Sequence, residues 1–257
     1  DIATNAPGAV LILCAGMAIV SFDLPPIQPV VFGWLFAANM YMPSVANDGR
    51  VLVAGKRGTL PQLLAEIGAC RVCEADLPEG PRPILSASAS ARILIAGQAP
   101  GRRVHQSGVP WDDPSGERLR DWLGLDRSDF YDRNLVALVP MGFCYPGSTG
   151  TGDRPPRPEC RALWHPRLLP HLRQVRLRVV IGQYAHAYYL GEAARESLTD
   201  TVAAWRDFAP HTFPLPHPSP RNGIWLRRNP WFEKQVVPAL RRAINAALTR
   251  PGNPRSR

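Results

Sequence analysis

The chain has 257 residues, a formal net charge of +9, 45% hydrophobic and 20% charged residues. This composition is typical of a globular protein, and the 28 prolines and 21 glycines argue against a helical bundle because they favour short elements joined by rigid turns. All 30 Lys and Arg residues lie after residue 49, so this part of the chain is expected to attract polyanions with salt-sensitive affinity.

Residues 1–50 differ in composition from the rest of the chain. The apolar run from Ala9 to Phe22 is shorter than the roughly 20 residues that a membrane-spanning helix needs, and no positive segment of a signal peptide precedes it. We expect a poorly structured or non-native extension here, with a membrane anchor as the alternative. The functional domain is predicted over residues 51–257.

The elements of this domain are predicted from periodicity and capping. Apolar runs followed by Gly97 or Gly182 predict buried strands, while Thr59, with Gln62 three residues later, predicts a capped helix start. Because apolar strands alternate with helices, we expect an α/β fold with three α/β/α layers and a central, mainly parallel four-stranded sheet. In chain order the elements are a helix over 59–69, a strand over 92–96, a helix over 115–123, strands over 135–139 and 177–181, a helix over 184–190, a strand over 213–215 and a helix over 231–248.

Two loops follow predicted strands, where functional loops of parallel sheets lie. The first is Gly97-Gln-Ala-Pro-Gly101, whose glycines and proline favour a tight turn that a ligand can approach closely. The second is His217-Pro-Ser-Pro-Arg-Asn222. A histidine between prolines on a rigid loop can donate a hydrogen bond to a developing anion, and Ser219 can contact a phosphate.

Five cysteines are present, four of which suggest a metal site. Cys70 and Cys73 form a C-x-x-C pair, and Cys144 and Cys160 follow far along the chain. Four thiolates of this kind suit an iron–sulfur cluster or Zn²⁺, whereas the alternative is four unrelated buried thiols. An odd number of cysteines argues against a secreted disulfide framework and favours a reducing compartment.

In order and context, these segments resemble the uracil-DNA glycosylase superfamily over about residues 60–246. Gly97–Gly101 is similar to motif A, which reads Gly-Glu-Ala-Pro-Gly in the iron–sulfur branch, family 4, of bacteria and archaea. Gly108-Val-Pro-Trp111 is similar to the element whose aromatic ring stacks on the extruded base. His217-Pro-Ser219 resembles motif B, and Arg221 falls at or near the residue that wedges into the duplex.

The resemblance implies a DNA repair enzyme that flips a uracil, or another deaminated base, out of DNA and hydrolyses its N-glycosidic bond to leave an abasic site. It implies a monofunctional hydrolase that is monomeric, has no membrane partner and acts at the nucleoid in the bacterial cytoplasm. It also implies a structural 4Fe–4S cluster on the four cysteines, with Zn as the less favoured occupant. The residues expected to contact the substrate are Ala99, Pro100, Gly101, His105, Trp111, Ser219, Arg221 and Asn222.

Motif A departs from the family at the positions that carry a carboxylate. Gln98 stands where family 4 has glutamate, and Ala99 where family 1 has aspartate. An amide cannot act as a general base at neutral pH, so Gln98 is expected to orient water or hold the base. His217 is expected to stabilise the leaving anion. Asp112, or its neighbour Asp113, is the predicted substitute carboxylate.

Base recognition also departs from the family pattern, which has an asparagine ahead of the third cysteine. The stretch before Cys144 has no amide side chain, and Asn134 lies ten residues upstream, so backbone groups around Met141–Phe143 are expected to recognise the base. Hypoxanthine, xanthine or a damaged base therefore stays open as a substrate. His105 could trap an abasic sugar, as a histidine does in a related branch. The rival functions are a non-turnover or covalent-trapping uracil sensor and a metal-stapled nucleotide-binding protein.

Overall fold

The computed structural model describes residues 58–150 and 152–249. The predicted N-terminal extension, its alternative as an anchor and the domain start at residue 51 lie outside this range. No helix in the described ranges is long and apolar enough to cross a membrane. The described strands are β1 Ile93–Ala96, β2 Val136–Leu138, β3 Ser148–Thr149, β4 Gly152–Asp153, β5 Leu177–Ile181 and β6 Thr212–Leu215.

Four of these strands form the central sheet in the order β2-β1-β5-β6, and each neighbouring pair is parallel. In the register, Ile93 lies opposite Val136 and Leu177, and Val179 lies opposite Phe213. The four predicted strands are therefore confirmed in type and direction. The short strands β3 and β4 form a separate antiparallel hairpin.

Helices cover both faces of the sheet because successive strand residues point to opposite sides. On one face, Ile93 and Ile95 pack with buried residues of helices α3 (Pro114–Leu123) and α9 (Val237–Leu248), and on the other, Leu94 packs with residues of α1 (Leu60–Gly68) and α5 (Pro158–Leu168). The three-layer α/β/α prediction is confirmed. The helices are α1 Leu60–Gly68, α2 Arg102–Ser107, α3 Pro114–Leu123, α4 Arg127–Tyr131, α5 Pro158–Leu168, α6 Gln183–Leu190, α7 Leu198–Ala203, α8 Gly223–Arg228 and α9 Val237–Leu248.

Helix ends follow their capping residues. The Thr59 amide donates to the Gln62 side chain over 2.8 Å, as the predicted capping box requires. Helix α3 starts shortly after Trp111, with Asp113 as its N-cap and Pro114 as its first residue. This start matters for the site, because it fixes the direction of the Asp113 side chain.

The C-terminal helix differs from the single helix predicted over 231–248. A π-helical turn, Phe232–Val236, precedes α9. Pro238 accounts for the difference, because its ring clashes with the carbonyl one turn earlier and it has no N–H to donate. The six-residue helices α2 and α8, and the β3–β4 hairpin, were not predicted.

Candidate active site

A cavity of about 240 Å³ lies at the carboxyl ends of β1, β2 and β6. Both predicted loops line it, as expected at the carboxyl edge of a parallel sheet. Eight of the predicted site residues are brought together there: Gln98, Ala99, Pro100, Gly101, Trp111, His217, Ser219 and Arg221. The lining also includes Ile84, Gly97, Val104, Pro110, Asp113, Ser115, Pro140 and Asp153.

Three predicted residues lie outside the cavity lining. The Asp112 carboxylate forms an ion pair with Arg127 over 3.2 Å, so Asp113 and not Asp112 faces the cavity. His105 lies in α2 instead of a loop and is only 8% exposed, next to the ring of Tyr145. Burial in the helix explains why it does not reach the cavity. Asn222 supports the motif B loop from behind, as described below.

His217 is held in one tautomer by its own loop. The N–H of Ser219 donates to Nδ1 of His217 over 3.2 Å, so in the neutral ring the proton is on Nε2. Burial lowers the pKa of His217, while the negative charge of Asp113 acts in the opposite direction. At neutral pH His217 is therefore a neutral imidazole with an Nε2–H group to donate.

Two side chains hold this loop in place. Asn222 Nδ2 donates to the His217 carbonyl over 2.7 Å. Arg118 on α3 donates to the carbonyl oxygens of Pro218 and Ser219 over 3.3 and 3.1 Å. Sequence reasoning missed Arg118, because a basic residue on a helix face is usually solvated. The structure makes it a link between α3 and the histidine loop.

Trp111 is packed tightly against the residues around it. Its φ of 58° is unusual for a large side chain, and its ring stacks on that of His217 with centroids 5.8 Å apart. A Cβ placed on Gly97 would lie 2.8 Å from Cζ2 of Trp111, and one on Gly116 would lie 1.8 Å from its carbonyl oxygen. Both glycines are therefore needed for the position of this ring.

The β3–β4 hairpin brings a carboxylate that sequence reasoning missed. Asp153 lines the cavity, and its Oδ2 lies 3.4 Å from the position of a Cβ placed on Gly101. Burial raises the pKa of Asp153, against the positive charges of Arg221 and Arg102. Gln98 Nε2 donates to the Arg154 carbonyl over 2.9 Å and so joins motif A to the hairpin.

The backbone predicted to recognise the base is already engaged. The N–H of Met141 donates to the Gly97 carbonyl, and that of Gly142 to the Gln98 carbonyl, over 2.8 and 3.0 Å. The N–H of Phe143 donates to Sγ of Cys160 over 3.3 Å. These three N–H groups are therefore already hydrogen-bonded, and recognition of the base by backbone groups around Met141–Phe143 stays a prediction. The three N–H groups support motif A and the cysteine segment.

The family model of the uracil DNA glycosylase superfamily matches residues 85–241, more than half of the chain. The match spans both loops and every strand of the central sheet. The chain belongs to the uracil DNA glycosylase superfamily. It is thus a glycosylase that acts on damaged bases in DNA. Such an activity requires loops that DNA can reach, and both motif loops line the cavity.

A second, narrow cavity of about 20 Å³ brings together the four cysteines of the glycosylase that were predicted as ligands. Burial raises the pKa of Cys144 to about 11 and that of Cys160 to about 12. Within residues 58–150 and 152–249, no three His, Cys, Asp or Glu side chains are arranged around a single metal ion. The lining cysteines are Cys70, Cys73, Cys144 and Cys160.

Helix α8, directly after the motif B loop, presents both apolar and basic groups to solvent. Ile224 is 57% exposed, and Arg227 and Arg228 are exposed on the last turn. Near motif A, Arg103 is exposed and Arg102 forms an ion pair with Glu79 over 2.7 Å. The glycosylase therefore has arginines beside both motif loops, suited to phosphate contacts.

Proposed function

We propose that this chain is a monofunctional uracil-DNA glycosylase, which hydrolyses the bond between uracil and deoxyribose and leaves an abasic site. The observation that carries the proposal is the neutral His217 in a cavity shared with motif A and Trp111. A neutral N–H donor suits a base that leaves as an anion. Superfamily membership supports the class of reaction.

The proposed reaction begins with extrusion of the base, because the glycosidic carbon is inaccessible inside the stacked duplex. Arginines beside the motif loops are suited to hold the phosphates during this step. Trp111 offers an aromatic face, and stacking of a base on such a face contributes about 1–3 kcal/mol. Gln98 and Ser115 supply polar side chains for the edge of the base.

Bond cleavage leaves negative charge on the uracil and positive character on the sugar. An N–H group that points at the place where the charge develops stabilises the transition state more than the ground state. The hydrogen bond from Ser219 keeps the proton of His217 on Nε2, so the donor needs no rearrangement. This role requires neither a positively charged histidine nor a covalent nucleophile.

The test is base release by the full chain. End-labelled single- and double-stranded oligonucleotides with one uracil are incubated with the protein and then cleaved with alkali. We expect cleavage at uracil that falls roughly 10²–10³-fold in His217→Ala, the usual loss for one such donor. His211→Ala is the matched control, because His211 is exposed and does not line the cavity.

The same assay separates this proposal from its rivals. Oligonucleotides with hypoxanthine or xanthine replace the uracil substrate in parallel reactions. Specific binding to uracil DNA without base release would favour the non-turnover sensor and contradict the proposal. Release of hypoxanthine alone would retain the glycosylase and change its substrate. An undiminished rate of cleavage in His217→Ala would contradict the role given to His217.

We also propose that the four cysteines hold a 4Fe–4S cluster, whose role is to join two distant chain segments. Support comes from the donor set, since four cysteines line one cavity and the Phe143 N–H donates to Cys160 Sγ. A cluster binds each thiolate at a different iron, so the four sulfurs need not meet at one point as for Zn²⁺.

Metal analysis of the purified full chain tests this second proposal. We expect about four iron atoms and four acid-labile sulfides per chain, and a brown colour. One zinc atom per chain without sulfide would show that the site holds Zn²⁺, the less favoured occupant, instead of the cluster. A metal-free protein that is folded and active would contradict both. Cys144→Ser should lower the iron content, whereas substitution of Cys14, which lies apart from these segments in the sequence, should not.

A further inference from the structure

We propose that Asp153 on the β3–β4 hairpin activates the water that attacks the sugar, and that Gln98 positions this hairpin over motif A. The inference rests on the proposed base-releasing hydrolysis. It proposes that the carboxylate that motif A lacks is supplied by a segment outside motifs A and B. Two carboxylates line the cavity within the described part of the chain, Asp113 and Asp153.

Asp113 is committed to another task. Its Oδ1 accepts the N–H of Gly116 over 2.8 Å as the N-cap of α3. This hydrogen bond occupies one oxygen of the carboxylate and fixes its direction at the helix start. Asp113 is also followed by Pro114, which restricts its backbone. It is therefore suited to hold α3 and its loop, not to accept a proton from water.

Asp153 lies in the same cavity as motif A and His217. Its Oδ2 lies close above the Cα of Gly101, at the end of motif A, and it shares the cavity with His217. The charged groups that face it are Arg221 from the motif B turn, Arg102 from α2 and Asp113 from the start of α3. Partial burial favours its neutral form, which makes the ionised form a better base than a solvated aspartate.

The amide at position 98 explains how the hairpin is held. Gln98 Nε2 donates to the carbonyl of Arg154, the residue after Asp153. A glutamate could not make this bond, because an ionised carboxylate has no hydrogen to donate. The Arg154 N–H also donates to the Gly147 carbonyl over 2.8 Å, so both backbone polar groups of Arg154 are hydrogen-bonded. The glutamine is thus a positioning residue for the carboxylate that replaces the motif A glutamate.

The chemical step balances without a cofactor. The bond between C1′ and the base nitrogen breaks, and its electron pair leaves with the base, where His217 stabilises the anion. The water oxygen forms the new bond to C1′ as Asp153 takes one of the water protons. The base anion then takes up a proton, and Asp153 releases its own to solvent. The hydroxyl group of the water thus ends on the sugar, and the free base gains a proton.

Single-turnover release of uracil, with the full-length protein in excess, tests this assignment. Asp153→Asn should lower the rate constant by about 10²–10⁴, the range for one general base. Affinity for a cleavage-resistant 2′-fluorinated uracil oligonucleotide should stay within about threefold, because the substitution leaves the DNA-facing arginines in place. Asp207→Asn, at an exposed ion pair with Arg195, is the control with unchanged rate.

The pH profile distinguishes a base from a structural residue. The wild-type rate should fall as the pH drops through the pKa of Asp153, since only the ionised form accepts a proton, and Asp153→Asn should lack this limb. Gln98→Ala should lower the rate and move the limb to lower pH, because a released hairpin exposes Asp153 to water. In Asp153→Asn, the added change Gln98→Glu should restore part of the rate.

Several outcomes would overturn the assignment. A rate for Asp153→Asn within about fivefold of wild type would do so, as would a large loss confined to Asp113→Asn. Equal losses in rate and in DNA affinity for Asp153→Asn would show that Asp153 binds DNA instead of activating water. If the wild-type protein releases no base, the proposed function fails together with this inference. If it does release uracil and Asp153→Asn does too, only the inference fails.

Discussion

Gly97 shows how one missing side chain determines the position of a catalytic-site ring. The strand β1 ends directly before it, and the Trp111 indole lies against its Cα. Because Trp111 already has a positive φ and stacks on His217, it cannot move away without disturbing the histidine. The glycine at the start of motif A is thus explained by close packing and needs no phosphate contact.

We therefore expect Gly97→Ala to lower uracil release at least tenfold, with a smaller effect on the free energy of unfolding. The added Cβ at 2.8 Å from Cζ2 forces the indole and His217 out of place, and a small misplacement of catalytic groups is costly. Gly68→Ala is the matched control, because a Cβ there has no atom within 4 Å and the position is helical. Equal activities of the two variants would contradict this account.

Among the secondary elements, those with a strong apolar period could be predicted from the sequence. The strand over 177–181 has the predicted bounds, and the other three sheet strands differ by one residue at one end or at both ends. The β3–β4 hairpin has two-residue strands of Ser, Thr, Gly and Asp, which have no apolar alternation. Asp153 could not be found for that reason.

The ambiguity between Asp112 and Asp113 has a similar cause. Both precede Pro114, and the sequence does not tell which of them caps the helix. The cap turns Asp113 toward the cavity and leaves Asp112 to pair with Arg127. His105 was misassigned because the six-residue helix α2 has no amphipathic period long enough to predict.

Helix α8 carries a candidate for the residue that would enter the DNA helix under the proposed function. The family resemblance places the wedge at or near Arg221, which lines the cavity with its Nη1 3.3 Å from the position of a Cβ on Gly152. Ile224, three residues on, is 57% exposed and apolar. An apolar side chain inserted between base steps compensates for the loss of stacking when a base is extruded.

Ile224→Ala should therefore lower uracil release from duplex DNA at least fivefold and leave release from single strands nearly unchanged. The difference follows because a wedge is needed only where a partner strand and stacked neighbours must be separated. Paired rate constants on the same labelled strand, alone and annealed, measure it. Ile224→Leu keeps the apolar volume and should behave as wild type. Equal losses on both substrates would exclude a wedge.

At the scale of the whole molecule, buried histidines make the stability of the fold depend on pH. His165 is fully buried, and its Nε2 donates to the Pro140 carbonyl over 3.1 Å, just beyond β2. Its Nδ1 has no hydrogen-bond partner within the described residues, so a second proton there would be unsatisfied. Burial lowers the pKa of His165 to about 4, and that of His186, buried beside β5, also to about 4.

The sign of the effect on stability follows from these pKa values. Between pH 6.5 and 4 the unfolded chain binds protons at these histidines and the folded chain does not, so acid favours unfolding. Their contribution is complete above about pH 6.5 and is lost as the pH falls toward 4. From pH 7 to pH 5 we expect roughly 2 kcal/mol of stability to be lost for each histidine, at 1.36 kcal/mol per pH unit.

Urea unfolding at pH 7 and pH 5 measures this loss, and His165→Gln isolates one part of it. Glutamine can still donate to the Pro140 carbonyl but does not titrate, so the variant should lose less stability on acidification than wild type, by roughly 2 kcal/mol. His211→Gln, at an exposed position, should keep the wild-type pH dependence. If His165→Gln kept it too, the acid sensitivity would have to arise from carboxylates and not from the histidine beneath the cavity edge.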